Sequence, residues 1–305
     1  METNLALTQP QHLISLATSA LIVSVDVNVW TATKQDRAIS NEVTAAKRAS
    51  ADAGKFTKNL LADSSDHKAL LNYRQTVYNW LQRSTFDWAG SMRLLPIVNL
   101  EKFKKEYEQH EKAFNALLQQ FINAYPSLIS DAAFKQGDMF NRSEYPDTQD
   151  VEAKFRMKLH VSQVPSNDFR AGGIAQAIAE DLKQHYERQT AEIIDTVMDD
   201  ASTRLVEIAE RLKNACAEPE ADDDGKVKRK KIYDTTVTQA KEICETLKNF
   251  NLTNNTALNA AVHDLAFTLD GIGVDDLRES AYTRKEVHDG IDEMLSKFKP
   301  LRSFA

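Results

Sequence analysis

Turn-forming residues are scarce: the 305 residues include 9 glycines and 7 prolines. An all-β sandwich or barrel needs a turn every few residues, so this composition argues against one and for long helices. Cysteine is nearly absent. Cys216 and Cys244 cannot make a disulfide framework, and no Cys/His group has the spacing of a zinc site. No Lys or Arg precedes Lys34, so the positive region of a signal peptide is missing. The apolar stretch from Leu13 to Val29 is interrupted by Ser15, Thr18, Ser19, Ser24, Asp26 and Asn28, which makes it too polar to span a membrane. A reduced cytoplasm is the expected setting, with no membrane partner.

Positive charge is also in deficit. Lys and Arg number 38 against 45 Asp and Glu, a net charge of −7. A large groove for nucleic acid needs clustered cations, so only a local basic strip remains available for that role. Motifs of catalysis are lacking as well. There is no Gly-Lys-Ser/Thr, no Gly-x-Gly-x-x-Gly, and no Ser/His/Asp or Cys/His order distinguishable from chance. No catalytic residue, metal ligand or cofactor is therefore assigned.

What is present is periodicity. Val23, Val25, Val27 and Val29 alternate with Ser24, Asp26 and Asn28, a period of two that predicts a half-buried strand over 23–30. Phe155 to Ser162 alternates in the same way and predicts a second strand, paired with the first. Met92 to Val98 is a candidate third strand, confined by Pro96 to an edge or a loop. Helices are expected over 9–21, over 40–62 with Ser40 as cap, over 66–83, and from Asn99 to the Tyr125-Pro126 break. Residues 84–90 read as a break between elements, and 126–150 as loop.

The longest pattern begins after Gly172 and Gly173. Apolar residues recur at spacings of three, four and seven from Ile174 to Cys216, predicting a helix of coiled-coil character that needs support from another helix or chain. A return helix over 232–250 completes an antiparallel αα-hairpin. Between them, 218–231 carries five acids followed by Lys226, Lys228, Arg229, Lys230 and Lys231, a charged tip. Three short helices close the chain, led by Thr256, Asp275 and the capping box Thr283 to Glu286.

The fold class expected is α+β, predominantly α: a helical body with a long αα-hairpin and a sheet of two or three strands. Residues 1–170 form the mixed part, 171–250 the hairpin and 251–305 the short helices, around one continuous core. Lys226, Lys228, Arg229, Lys230 and Lys231 are the candidate contact for phosphate or an acidic partner. Gly172 and Gly173 are a candidate anion site at a helix N-terminus, although turn chemistry explains them as well. Asp181 with His185 reads as a solvated i,i+4 pair, and His110 as a packed seam residue. Tyr73, Tyr78, Trp80, Phe86 and Trp88 read as core aromatics rather than a base-stacking platform.

The segments Ser24 to Lys34 (SVDVNVWTATK), Met92 to Phe103 (MRLLPIVNLEKF), Ser143 to Asp147 (SEYPD) and Val164 to Arg170 (VPSNDFR) together resemble a bacteriophage and bacterial family of unknown function. Its members are mostly helical, and some are encoded near a MoxR-type AAA+ ATPase and a von Willebrand A-domain protein. The resemblance implies an intracellular protein with protein partners such as an AAA+ ATPase; it supplies no active site. The leading expectation is a non-enzymatic interaction or assembly protein that forms homo-oligomers. One alternative is a phage recombination protein that binds or anneals single-stranded nucleic acid. Another is a hydrolase or nuclease whose residues are dispersed in the sequence.

Overall fold

A computed structural model describes residues 16–61, 63–165, 176–218 and 230–298. Helices dominate, and a small antiparallel sheet accompanies them, so the α+β, predominantly α expectation is met. The order is β1 (Ala20–Asn28), β2 (Thr33–Asp36), α1 (Arg37–Ala46), β3 (Phe56–Asn59), α2 (Ser65–Ser84), β4 (Phe86–Ala89) and β5 (Met92–Pro96). There follow α3 (Leu100–Gln136), α4 (Thr148–Glu152), β6 (Arg156–Gln163), α5 (Gln176–Cys216), α6 (Asp234–Asn249), α7 (Thr256–Thr268), α8 (Val274–Glu279) and α9 (Ala281–Lys297). Two sheets form, β4-β5-β1-β6 and the pair β2-β3, so the main sheet has four strands rather than the expected two or three.

The expected pairing of the two alternating strands is present, since β6 lies beside β1. The Met92 segment is the third strand, pairing with β1 in the register Ala20↔Pro96 to Val23↔Arg93. It is neither an edge strand nor a loop, as its proline led one to expect, but lies between β4 and β1; Pro96 sits at the last paired position, where its missing N–H removes least from the ladder.

The chain divides into two compact units. One comprises Met1–Val23, Thr85–Leu100 and Val161–Ala305; the other comprises Ser24–Ser84 and Glu101–His160. In the first, α5 and α6 pack together, and α7 and α9 pack on the pair. The α5–α6 pair is antiparallel. Phe86 lies under the Arg204 guanidinium of α5 and stacks on Phe250 just after α6. Near the other end, Arg278 donates to the Ile232 carbonyl while Arg284, which acts on the Cys216 thiol, donates to the Arg278 carbonyl. The core between them holds Ile194, Val197, Met198, Leu205, Leu212, Val237, Leu247 and Leu265. In the second unit, Phe103, Phe114, Phe121 and Tyr125 of α3 are buried, with Phe121 against His67, Tyr125 and Phe155.

Several expectations are corrected. Residues 40–62 are not one helix. Asp36, not Ser40, caps α1 by accepting from the Ile39 N–H, and the helix stops at Ala46. Ser40 is instead buried, with its hydroxyl accepting from the Phe56 N–H of β3. Alanine-rich sequence supported the helical reading, but Gly54 and the β2 pairing partner decide the local outcome. Residues 84–90 are not merely a break, because Phe86–Ala89 pairs with β5 through a turn at Gly90, whose φ is 59°. Pro126 does not end α3, which continues to Gln136. An interior proline costs roughly 3 kcal/mol. Here Tyr125 before it and Ala132 after it are both buried, and the Tyr125 hydroxyl donates to the Pro146 carbonyl at 3.0 Å. That packing offsets the lost hydrogen bond, and of the expected loop 126–150 the part up to Gln136 is helical. Finally, Ser280 rather than Thr283 caps the last helix, its hydroxyl accepting from the Thr283 N–H. The expected helix over 9–21 falls mostly outside the described residues; 16–19 are helical.

Candidate functional site

The two halves of α5 differ in burial. From Thr190 onward its inward face is covered: Ile194, Val197, Met198, Ala201, Leu205, Ala209, Leu212 and Cys216 are all buried. Before Thr190 it is not. Ile178 is 56% exposed and Leu182 38% exposed, four residues apart on one face. The helix persists there because Ala179, Leu182, Lys183, Gln184, Glu187 and Arg188 are strong helix formers, and the buried half removes the nucleation cost. Tyr186 marks the boundary, half-buried, with its hydroxyl donating to the Pro165 carbonyl at 2.6 Å. Beside the apolar row stand Asp181 and Arg188, both exposed and seven residues apart. The result is a narrow apolar stripe, flanked by opposite charges, on a rigid rod.

A second group gathers titratable side chains where α2 meets α3. The Tyr73 hydroxyl and His110 Nδ1 are 2.9 Å apart, and the Trp80 indole N–H donates to Glu106 Oε2 at 2.6 Å. Trp80 stacks on Phe103 at 4.7 Å and lies 4.8 Å from the His110 ring. Burial pushes His110 below the usual histidine range; the Glu106 charge opposes this and Arg83 reinforces it. Burial also raises the Tyr73 hydroxyl. A neutral histidine bonded to a neutral tyrosine in a helix seam is a packing arrangement, as expected of a seam position.

A third group was not legible in the sequence. Lys58, only 5% exposed, lies 2.6 Å from Glu144 and 3.6 Å from Asp36, and donates to the Met139 carbonyl at 2.6 Å. Residues 40–62 read as helix, and only the strand conformation of β3 turns Lys58 inward. It ties the β2-β3 pair to the segment after α3. A buried lysine held by two carboxylates and a carbonyl acts as a clamp between segments.

The residues singled out from sequence fare unevenly. Lys226, Lys228, Arg229, Gly172 and Gly173 lie outside the described residues. Lys230 and Lys231 are exposed, and the Lys231 ammonium sits 5.2 Å from the centre of the Tyr233 ring. Asp181 and His185 are exposed, as a solvated pair should be. Of the five aromatics expected in the core, Trp80 and Phe86 are buried in their own units, Tyr73 and Trp88 are half-buried, and Tyr78 is exposed. Cys216 and Cys244 are buried free thiols, pushed up by burial to about 11 and about 12. Among the described residues, no group of three or more His, Cys, Asp or Glu is placed to hold a metal ion, and no helix is long and apolar enough to cross a membrane. Against protein-family models, curated proteins and solved structures, the chain matches none.

Proposed function

We propose that the protein is a non-enzymatic interaction and assembly protein that self-associates through the N-terminal turns of α5. The observation that carries this reading is the exposure of Ile178 and Leu182 on a helix whose later turns have a buried apolar face. An apolar row on a helix is an interaction feature when no described residue of its own chain covers it. The flanking charges favour a second copy as the occupant. In an antiparallel pair of α5 helices, Asp181 of one copy faces Arg188 of the other, and the arrangement is self-complementary about a two-fold axis.

Multi-angle light scattering across a concentration series tests this. The wild-type chain is expected to show a dimer or larger species at high micromolar concentration, and Ile178→Asp/Leu182→Asp a monomer. A strict monomer for the wild type overturns the reading. Charge reversal gives a sharper check: Asp181→Arg alone weakens association, and Asp181→Arg with Arg188→Asp restores it.

A further inference from the structure

We infer that the outward face of β6 is a contact surface for the phosphate backbone of a single-stranded nucleic acid. This surface is separate from the α5 stripe and does not depend on self-association. Between Glu152 and Asp168 the sequence has no acid, although acids outnumber bases in the whole chain. Within that interval Lys154, Arg156, Lys158 and His160 recur every second residue. Alternation along β6 sends Arg156, Lys158 and His160 to one side, all exposed, with Met157 and Leu159 half-buried on the other; Lys154, also exposed, stands in the turn just before the strand. Arg156, Lys158 and His160 are therefore spaced roughly 6.8 Å apart, twice the rise per strand residue, a step comparable to that between phosphates of an extended single strand.

The charges are available. Lys154 and Lys158 make no ion pair among the described residues. Asp26 of β1 is the acid that meets the row, 3.3 Å from His160 and 4.0 Å from Arg156. It is shared between two partners, so the row keeps a positive excess. Asn28 of β1 is an exposed polar residue able to donate to phosphate oxygens. The row carries no aromatic residue, so it holds a backbone and reads no base.

Basic residues on a terminal strand also serve to prevent edge-to-edge aggregation. That role is already partly filled. The Leu159 N–H of β6 donates to the Tyr107 hydroxyl of α3, which in turn donates to Glu111 at 3.0 Å. The side chains of the row stand on the sheet face rather than in the plane of that edge.

The test is fluorescence anisotropy of a labelled oligothymidylate with the full chain, between about 50 and about 200 mM salt. The expected result is binding that weakens steeply with salt. Lys154→Gln/Lys158→Gln should reduce affinity roughly tenfold and flatten the log–log salt slope by about 1.4, two contacts at about 0.7 each. Both residues are exposed, so an unchanged circular dichroism spectrum and melting temperature confirm that folding is intact. The inference is overturned by absence of binding at the lowest salt, or by an unchanged affinity and slope in this variant. It is equally overturned if Lys228→Gln/Lys230→Gln abolishes binding instead, or if polyglutamate of equal charge competes as well as the oligonucleotide, which makes the row a contact for acidic protein.

Discussion

The two halves of α5 share one hydrophobic rhythm and have opposite fates. From Thr190 to Cys216 apolar residues occupy two adjacent rows, Ile194, Met198, Ala201 and Leu205 beside Val197, Ile208 and Leu212, giving a stripe wide enough to close against α6 and the C-terminal helices. From Gln176 to Gln189 there is one row, Ile178, Leu182 and Tyr186, with charged residues on both sides. Period identifies the face of a helix, whereas width decides whether that face becomes core. A single row cannot bury enough area to fix a helix within a domain, yet it can supply a narrow, reversible contact.

The largest effects should therefore come from the wide half. Leu205→Asp places an unpaired charge in a fully buried position, a loss of several kcal/mol that exceeds the reserve of many domains. The expected outcome is an insoluble or unfolded chain, read by circular dichroism and solubility. A soluble variant with an unchanged melting temperature breaks the comparison at its root.

Next in size is the alkaline limit of the same half. Cys216 of α5 and Cys244 of α6 are buried, with folded values near 11 and 12 against 9.0 for an ordinary thiol. Folded values raised above unfolded ones mean that this stability is fully present below pH 9 and is lost as pH rises toward 11 and 12. The urea midpoint should fall over that interval, and the fall should shrink in Cys216→Ala/Cys244→Ala. In the native state at pH 8 both thiols should resist a thiol reagent that labels them at once after unfolding.

How far the sequence revealed this depends on which interactions are local. The strand β1 was legible because Val23, Val25, Val27 and Val29 alternate and are all buried in the fold. The strand β6 was equally legible, although its Val161 is 52% exposed, because period two reports backbone form and not burial. Helix α5 announced its face and its length. Three features were hidden, each for a reason of distance. The β2-β3 pair joins Thr33–Asp36 to Phe56–Asn59 across an intervening helix, and nothing in Phe-Thr-Lys-Asn marks a strand. Lys58 gains its role from Glu144, far along the chain. Pro126 survives inside α3 through Tyr125 and its bond to the Pro146 carbonyl. Of the sites, the surplus apolar length before Tyr186 could be read in advance, whereas the basic row needed the strand's orientation and its neighbour Asp26.

At the boundary between the halves, Tyr186→Phe removes the hydroxyl that donates to the Pro165 carbonyl. A neutral hydrogen bond contributes about 1 kcal/mol net, and less where water reaches the carbonyl. A small drop in melting temperature is expected, with faster amide exchange in the turns before residue 186 and none added after residue 194. Uniformly faster exchange along α5 would mean that its halves are one cooperative element.

The smallest effect on stability should come from the narrow half. Leu182→Asp adds charge where the side chain is already 38% exposed, so its effect on folding should stay within about 0.5 kcal/mol. Its effect on association should be large, because both copies then carry a carboxylate at the centre of the narrow apolar stripe. This inverts the behaviour of Leu205→Asp: fold intact and assembly lost, against fold lost. Melting temperature and light scattering on the same sample separate the two outcomes. If Leu182→Asp lowers the melting temperature as Leu205→Asp does, the N-terminal turns are part of the core. If it changes neither quantity, the stripe is merely solvated, and stripe width is not what separates the two halves of the helix.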